Sequence, residues 1–254
     1  MMAWRLLLTR PAAEGEALAA LLEAHGLFGY SLPMLDIQAL PETPEQRTCI
    51  LELDRYHAVI AISKPAARLG CERIDIYWPQ LPLAPYWFAV GPGTAAVLAE
   101  FSIDAVWPDG KDSETLLALP ELNEALAVPE PKVLLLRGEG GREALHDGLV
   151  ERGAQVDALA LYRRSPLESP PGHAARVVQA ERLNGLVVSS GQGFEHLQRA
   201  SGDAWPALSQ LPLFVPSARV AALARDAGCT RIVDCRGASN EALLAALAKS
   251  QPEE

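Results

Sequence analysis

Short apolar runs alternate along this chain with longer amphipathic stretches, and the alternation predicts strands and helices in regular succession. Residues 4–8 are apolar but for Arg5, as suits a parallel strand covered on both faces. A stretch with the 3.6-residue period of a helix follows over 12–25 and stops at Gly26. A second strand is expected at about 28–32, then an extended, proline-bounded segment, LPMLDIQALPETP, that reads as a linker. The pattern resumes with a helix at 44–54, a strand at 58–62, a helix from Lys64, a strand at 87–90, a helix at 92–101, a short strand near Val106 and a helix at 113–118. A second series keeps this order: strand 133–136, helix 142–152, strand 156–161, helix 172–181, strand 186–189, helix 193–200, strand 213–215, helix 217–227, strand 231–233 and helix 240–248. Alternation of this kind predicts an α/β class with parallel sheets, doubly wound because crossovers are right-handed.

The order repeats because the sequence does. Shifted by 127 positions, LLLTRPAAEGEALAALLEAHG (6–26) falls on VLLLRGEGGREALHDGLVERG (133–153), with eight of twenty-one pairs identical, among them Arg10/Arg137 and Gly26/Gly153. The same offset lays AVIAIS (58–63) on GLVVSS (185–190), and 113–118 on 240–245. Between these blocks the register slips by two, so that Val90 meets Val215. A period this long marks a duplicated domain-sized unit, not a solenoid repeat. The expected architecture is two flavodoxin-like, doubly wound domains joined by a two-stranded linker, with a cleft between them. Two chain routes satisfy the pattern. Either each half folds alone, or the chain leaves one domain at the first linker and returns through the second, around Tyr162-Arg163-Arg164-Ser165-Pro166. The second route puts domains at 1–36 with 166–254 and at 40–160, with linkers at 33–40 and 159–166.

At 254 residues and 49% hydrophobic, the chain can bury two ordinary cores. Its apolar runs are too short to span a bilayer, and its opening stretch is too slight for a signal peptide, so a cytoplasmic protein is expected. The four cysteines lack CxxC spacing and read as free thiols. A net charge of −10 without a Lys/Arg tract argues against nucleic acid as the main ligand. An anion can still bind, through local dipoles and a few placed arginines. The five histidines are scattered without HxxxH or HExxH spacing, so no metal site is expected. Gly138, Gly140 and Gly141 miss the GxGxxG spacing and no GxxxxGK[ST] exists, which disfavours nucleotide binding of the standard kind. No GxSxG elbow is present.

Chemistry is concentrated at the corners where strands give way to helices. Small or polar residues occupy nearly all of them: Thr9-Arg10-Pro11, Ser63-Lys64-Pro65, Gly91-Pro92-Gly93-Thr94, Arg137 to Arg142, Ser189 to Gly193 and Pro216 to Arg219. Each corner has a plain structural use, capping its own helix. Together they suit anion cradles built from helix N–H groups, since ligands of open α/β sheets lie beyond the strands' carboxyl ends. Tyr162 differs from these: it ends a strand, lies in the second linker and is followed by two arginines. As an interfacial residue it would be half-buried; as a functional one it faces the ligand.

Taken in order, LLTRP (7–11), AVGPGTA (89–95), SETLL (113–117), LLLRGEGGREAL (134–145) leading to RGAQV and LYRR, VVSSGQG (187–193) and VPSARVA (215–221) resemble the uroporphyrinogen-III synthase family over almost the full length. No single motif is specific; their order and spacing are. The resemblance implies two α/β domains in the discontinuous arrangement. It implies a lyase that takes hydroxymethylbilane, a linear tetrapyrrole polycarboxylate, removes water and closes the ring with the last pyrrole inverted, without cofactor or metal. Tyr162 matches the family tyrosine that assists loss of the hydroxyl. Thr94 matches a threonine at the cleft, and Ser63, Ser190 and Ser217 fall on substrate-facing turns. With Arg10, Gly91, Arg137, Gly138, Gly141, Gly191 and Arg219 from the corners, these make up the expected substrate-binding set. Two positions depart from the pattern: Pro65 stands where relatives carry an asparagine, and Arg219 where some carry a threonine. The implied setting is a cytoplasmic monomer in tetrapyrrole (haem) biosynthesis, with no membrane and at most transient contact with the preceding enzyme of the pathway. The residues alone leave open a two-domain sensor that binds a small anion without catalysis. A nucleotide-sugar transferase is weakened by the lack of a DxD.

Overall fold

The computed structural model describes residues 3–109, 113–140 and 143–251. Contacts divide the chain into two compact units, Met1–Asp36 with Ser165–Glu254, and Ile37–Arg164. The first unit opens with strand β1 (Arg5–Leu8), helix α1 (Ala12–Ala24) and strand β2 (Phe28–Ser31). The chain then runs through β3 (Leu35–Ala39) into the second unit: α2 (Pro44–Leu51), β4 (Ala58–Ala61), α3 (Lys64–Tyr77), β5 (Tyr86–Ala89), α4 (Pro92–Glu100), α5 (Ser113–Leu117), α6 (Pro120–Ala125), β6 (Lys132–Gly138) and α7 (Ala144–Glu151). Strand β7 (Gln155–Pro166) leads back to the first unit, completed by α8 (His173–Ala180), β8 (Gly185–Val187), α9 (Gly191–Ser201), α10 (Trp205–Leu208), β9 (Leu213–Val215), α11 (Ala218–Asp226), β10 (Ile232–Asp234) and α12 (Asn240–Leu247).

The sheet of the first unit has the order β2-β1-β8-β9-β10, all parallel. Numbered along the chain within that unit, this is 2-1-3-4-5, the flavodoxin-like doubly wound order. The sheet of the second unit runs β3-β7-β6-β4-β5. The 127-residue offset equates β6 with β1 and β4 with β8, so β7-β6-β4-β5 has the same spatial order built from a different starting strand. The fifth place is filled by Val106, which makes an isolated parallel bridge to Phe88 and not the short strand expected. Strand β3 is the addition that the first unit lacks. Leu40 N–H donates to Leu161 O and Leu167 N–H to Met34 O, so β3 ascends as β7 descends.

Period-two burial explains why the strands read as continuous apolar runs. Leu6, Leu7 and Leu8 are all buried, Leu7 in one cluster and Leu6 and Leu8 in another. In β6 the same split puts Leu134 and Leu136 in one cluster and Val133 and Leu135 in the other. Each such leucine contributes about 1.5–3 kcal/mol by leaving water. The duplicated glycines Gly26 and Gly153 end α1 and α7 in the left-handed region, at φ +71 and +82, a conformation other residues adopt only at a cost. Short α6 and α10 were not legible in the periodicity; each has a proline in its first turn, a residue that reads as a break in a window of this length. Strand β7 also runs past residue 161 and takes in the Tyr-Arg-Arg segment.

Candidate active site

Parallel strands end together, so the corners of the second unit share one edge of its sheet. Ser63 follows β4, Gly91 follows β5, Gly138 ends β6 and Tyr162 lies in the far half of β7. The register of β6 against β7 shifts after Arg137, leaving Gly138 opposite Tyr162. The Glu139 N–H donates to Tyr162 O at 2.6 Å. Tyr162 is more covered than a linker position suggests: it is 3% exposed and its ring belongs to the core of the unit. Only its polar end meets partners. The hydroxyl lies 3.0 Å from Ser63 Oγ, and Arg164 Nη2 donates to it at 3.2 Å while the guanidinium stands 5.7 Å from the ring centre. Ser63 also caps α3, its Oγ accepting the Ala66 N–H.

Gly91 is in extended conformation with open space where a side chain would be. Thr94 is buried in the first turn of α4, its N–H donating to Gly91 O. Beside it, Lys64 leans over Gly93, where an added Cβ would lie 2.8 Å from the lysine Cε.

The duplicated arginines brace loops. Arg137 is 8% exposed; its two terminal nitrogens reach Glu143 at 2.9 and 3.0 Å, and one also donates to Gly140 O. This bidentate pair holds the Glu143 carboxyl below its ordinary value. Arg10 is 7% exposed and donates to Asn240 Oδ1 at 2.6 Å, at the start of α12, and to Ala238 O at 2.8 Å in the loop ahead of it. Among the described residues no ion pair involves it and its Nε has no partner, and burial lowers its pKa. Both guanidiniums, expected at a ligand, are thus engaged by their own unit. Gly141 lies outside the described residues.

In the first unit Ser190 and Ser217 cap α9 and α11, accepting N–H bonds from Gly193 and Val220. Arg219 spans these adjacent corners: a Cβ on Gly191 would lie 3.1 and 3.2 Å from its terminal nitrogens. Its cation therefore sits at two positive helix ends with no ion-pair partner among the described residues. The corners of the two units mirror each other here in an exchanged sense, since Lys64 aligns with Gly191 in the duplication and each unit sets one cation over one glycine. The structure thus groups Ser63, Gly138 and Tyr162 in one unit, and Ser190, Gly191, Ser217 and Arg219 in the other. Arg164, Lys64, Glu143 and Asn240 were not singled out from sequence. Arg164 carried a signal in its place two residues after the tyrosine, and Lys64 in its place at the corner after β4.

Residues 16–245 match the family model described as uroporphyrinogen-III synthase HemD. The chain belongs to the uroporphyrinogen-III synthase family. It is 34% identical over 248 residues to the uroporphyrinogen-III synthase of Salmonella typhimurium (strain LT2), covering 95% of this chain and 99% of that one. Against the enzyme of the same name from Escherichia coli (strain K12) it is 33% identical over 251 residues, with the same coverage. Among solved structures, a mutant uroporphyrinogen III synthase from the extremely thermophilic bacterium Thermus thermophilus aligns with TM-score 0.60 at 22% identity, covering 98% of this chain and all of that one. The Helicobacter pylori 26695 synthetase aligns at 0.56 and 15%, covering 97% and 100%. These two share the fold of paired α/β domains. The non-catalytic sensor is not favoured by any of these likenesses. No helix among the described residues is long and apolar enough to cross a membrane, and no group of three or more His, Cys, Asp or Glu there could hold a metal ion.

Proposed function

We propose that this chain is a uroporphyrinogen-III synthase in the full chemical sense: a cyclising hydro-lyase that converts hydroxymethylbilane to the inverted ring isomer. The observation that carries the reading is family membership together with the tyrosine that the sequence resemblance singles out, held here by a serine and an arginine. In the reaction, a pyrrole nitrogen's electron pair pushes through the ring, so that a ring C=N and an exocyclic C=C form as the hydroxymethyl C–O bond breaks. The departing oxygen takes a proton and leaves as water. The substituted carbon of the terminal ring attacks the azafulvenium so formed, and the spiro intermediate fragments and recloses with that ring reversed. Loss of one ring proton restores the pyrrole, so the net change is one water.

The substrate also closes unaided to the uninverted isomer, so the protein must select a conformation. The carboxylates of the bilane are received at the helix N-termini after Ser63 and Gly91, where Thr94 lies in the first turn, and at those after Ser190 and Ser217, where Gly191 and Arg219 lie. Arg10 and Arg137 brace other corners, at Ala238 and Asn240 and at Gly140 and Glu143, and Gly138 makes room for Tyr162. The hydroxyl of Tyr162 assists loss of the leaving oxygen, contributing about 10–100-fold. The chain works as a cytoplasmic monomer with no resident cofactor, meeting the enzyme that makes its substrate transiently. The test is to supply enzymatically generated hydroxymethylbilane and resolve the products. Isomer III in excess of isomer I supports the assignment; the spontaneous isomer alone refutes it. Tyr162→Phe is expected to slow closure while binding is kept, and full activity in that variant would remove Tyr162 from the chemistry.

A further inference from the structure

The proposed reaction needs a hydrogen-bond donor at the leaving oxygen, and the structure constrains which atom that is. Tyr162, the residue to which the resemblance points, is 3% exposed. Its hydroxyl has two partners among the described residues, Arg164 Nη2 and Ser63 Oγ. A guanidinium has donors and no acceptor, so the phenolic oxygen accepts from Arg164. The 3.0 Å contact admits either donor; with the phenol hydrogen directed to Ser63 Oγ it is met, whereas in the other sense it finds no acceptor among the described residues, and buried donors are rarely left unmet. Ser63 Oγ already accepts the Ala66 N–H. With the phenol as its second donor, both its lone pairs are taken, and its own hydrogen has no acceptor among the described residues of the unit. Ser63 is only half-covered and stands at the carboxyl end of β4, where ligands of such sheets lie.

We infer that the three residues form a polarised relay, Arg164 to Tyr162 to Ser63, in which the Ser63 hydroxyl touches the substrate and Tyr162 acts through it. Arg164 and Tyr162 are positioning residues: the first sets the sense of the relay and the second passes it on. Gly138 belongs to the same device, since its bare backbone gives the phenol ring its place. This rests on the proposed function and deepens it, moving the contact with the leaving oxygen from the tyrosine to the serine.

The experiment is a double-mutant cycle on turnover of hydroxymethylbilane to isomer III, with kcat and KM measured separately. Ser63→Gly removes the hydroxyl while glycine keeps most of the cap's stability. Ser63→Gly and Tyr162→Phe are each expected to lower kcat about tenfold, with KM within about twofold. In the Ser63→Gly background, Tyr162→Phe has no further effect, because a residue that acts through another is silent once the other is gone. Arg164→Met lowers kcat as well, and Arg164→Lys, another pure donor, recovers most of the loss. Circular dichroism and urea melts establish that each variant is folded. Additive losses in the double variant would overturn the relay, as would full activity in Arg164→Met or a lysine variant no faster than the methionine one. If the wild type yields no isomer III, the function itself fails. If the wild type yields isomer III and Ser63→Gly is fully active, only the relay fails.

Discussion

Tyr162 lies so close to Gly138 that a Cβ on the glycine would sit 2.6 Å from the phenol Cζ and within 3.0 Å of two further ring carbons. The shift in register that sets them opposite each other is thus also what demands a glycine. Gly138→Ala is expected to push the ring from its place, with an overpacking cost of about 1–3 kcal/mol and a fall in turnover as large as that of Tyr162→Phe. Urea melts and an isomer-resolved assay check both. Unchanged stability and turnover would mean that the ring has room to move.

The brace between Arg137 and Glu143 has a defined pH dependence. Its carboxyl is held below the ordinary 4.5 by the arginine, so the folded state binds its proton less readily than the unfolded state does. The stabilisation is present above the unfolded value and is lost as pH falls through the lower folded one. Acidification below about 4.5 should therefore destabilise the wild type more steeply than Glu143→Gln, which lacks the titrating group. Denaturant melts across that range decide the matter, and parallel pH curves would rule the brace out as a contributor.

Arg10 holds the start of α12 and the loop before it through neutral acceptors. Asn240→Ala removes the acceptor of a 2.6 Å bond and leaves a buried cation with one terminal nitrogen unmet and its Nε already without a partner among the described residues. The expected loss is about 1–3 kcal/mol, read by urea denaturation. A loss under about 0.5 kcal/mol, the ordinary scatter of surface changes, would show that the loop relaxes to compensate.

Arg219 is read as a carboxylate-binding cation, which makes it a determinant of binding and not of rate. Arg219→Gln should raise KM about 3–10-fold with kcat little altered, the mark of an interaction made equally in ground and transition states. Gly191→Ala should act in the same direction, since its methyl would lie within 3.2 Å of the guanidinium. A fall in kcat at constant KM would contradict the assignment.

Much of the architecture was legible because burial on both faces imposes a pattern on sequence. Residues 4–8 and 133–136 read as strands since both faces of β1 and β6 are covered, and Gly26 and Gly153 marked helix ends because their positive φ is costly for other residues. Helices α6 and α10 escaped because six and four residues hold too few turns to show a period. At the site, the serines at 63, 190 and 217 were visible as corner residues, and each does cap its helix. Nothing in the sequence distinguished Arg137, bound back to Glu143, from Arg219, which has no ion-pair partner among the described residues.

By itself the sequence determined the α/β alternation, the duplication and the family, because each is written in local periodicity or in residue order at a fixed offset. Only the tertiary structure decided that Arg10 and Arg137 face inward, that Gly138 yields its side-chain space to Tyr162, and that the phenol hydroxyl lies between Arg164 and Ser63. Those facts join residues as far apart as 10 and 240, or 63 and 162. Hydrogen-bond partners over such separations are chosen by strand order and register, and neither leaves a mark in the local hydrophobic pattern.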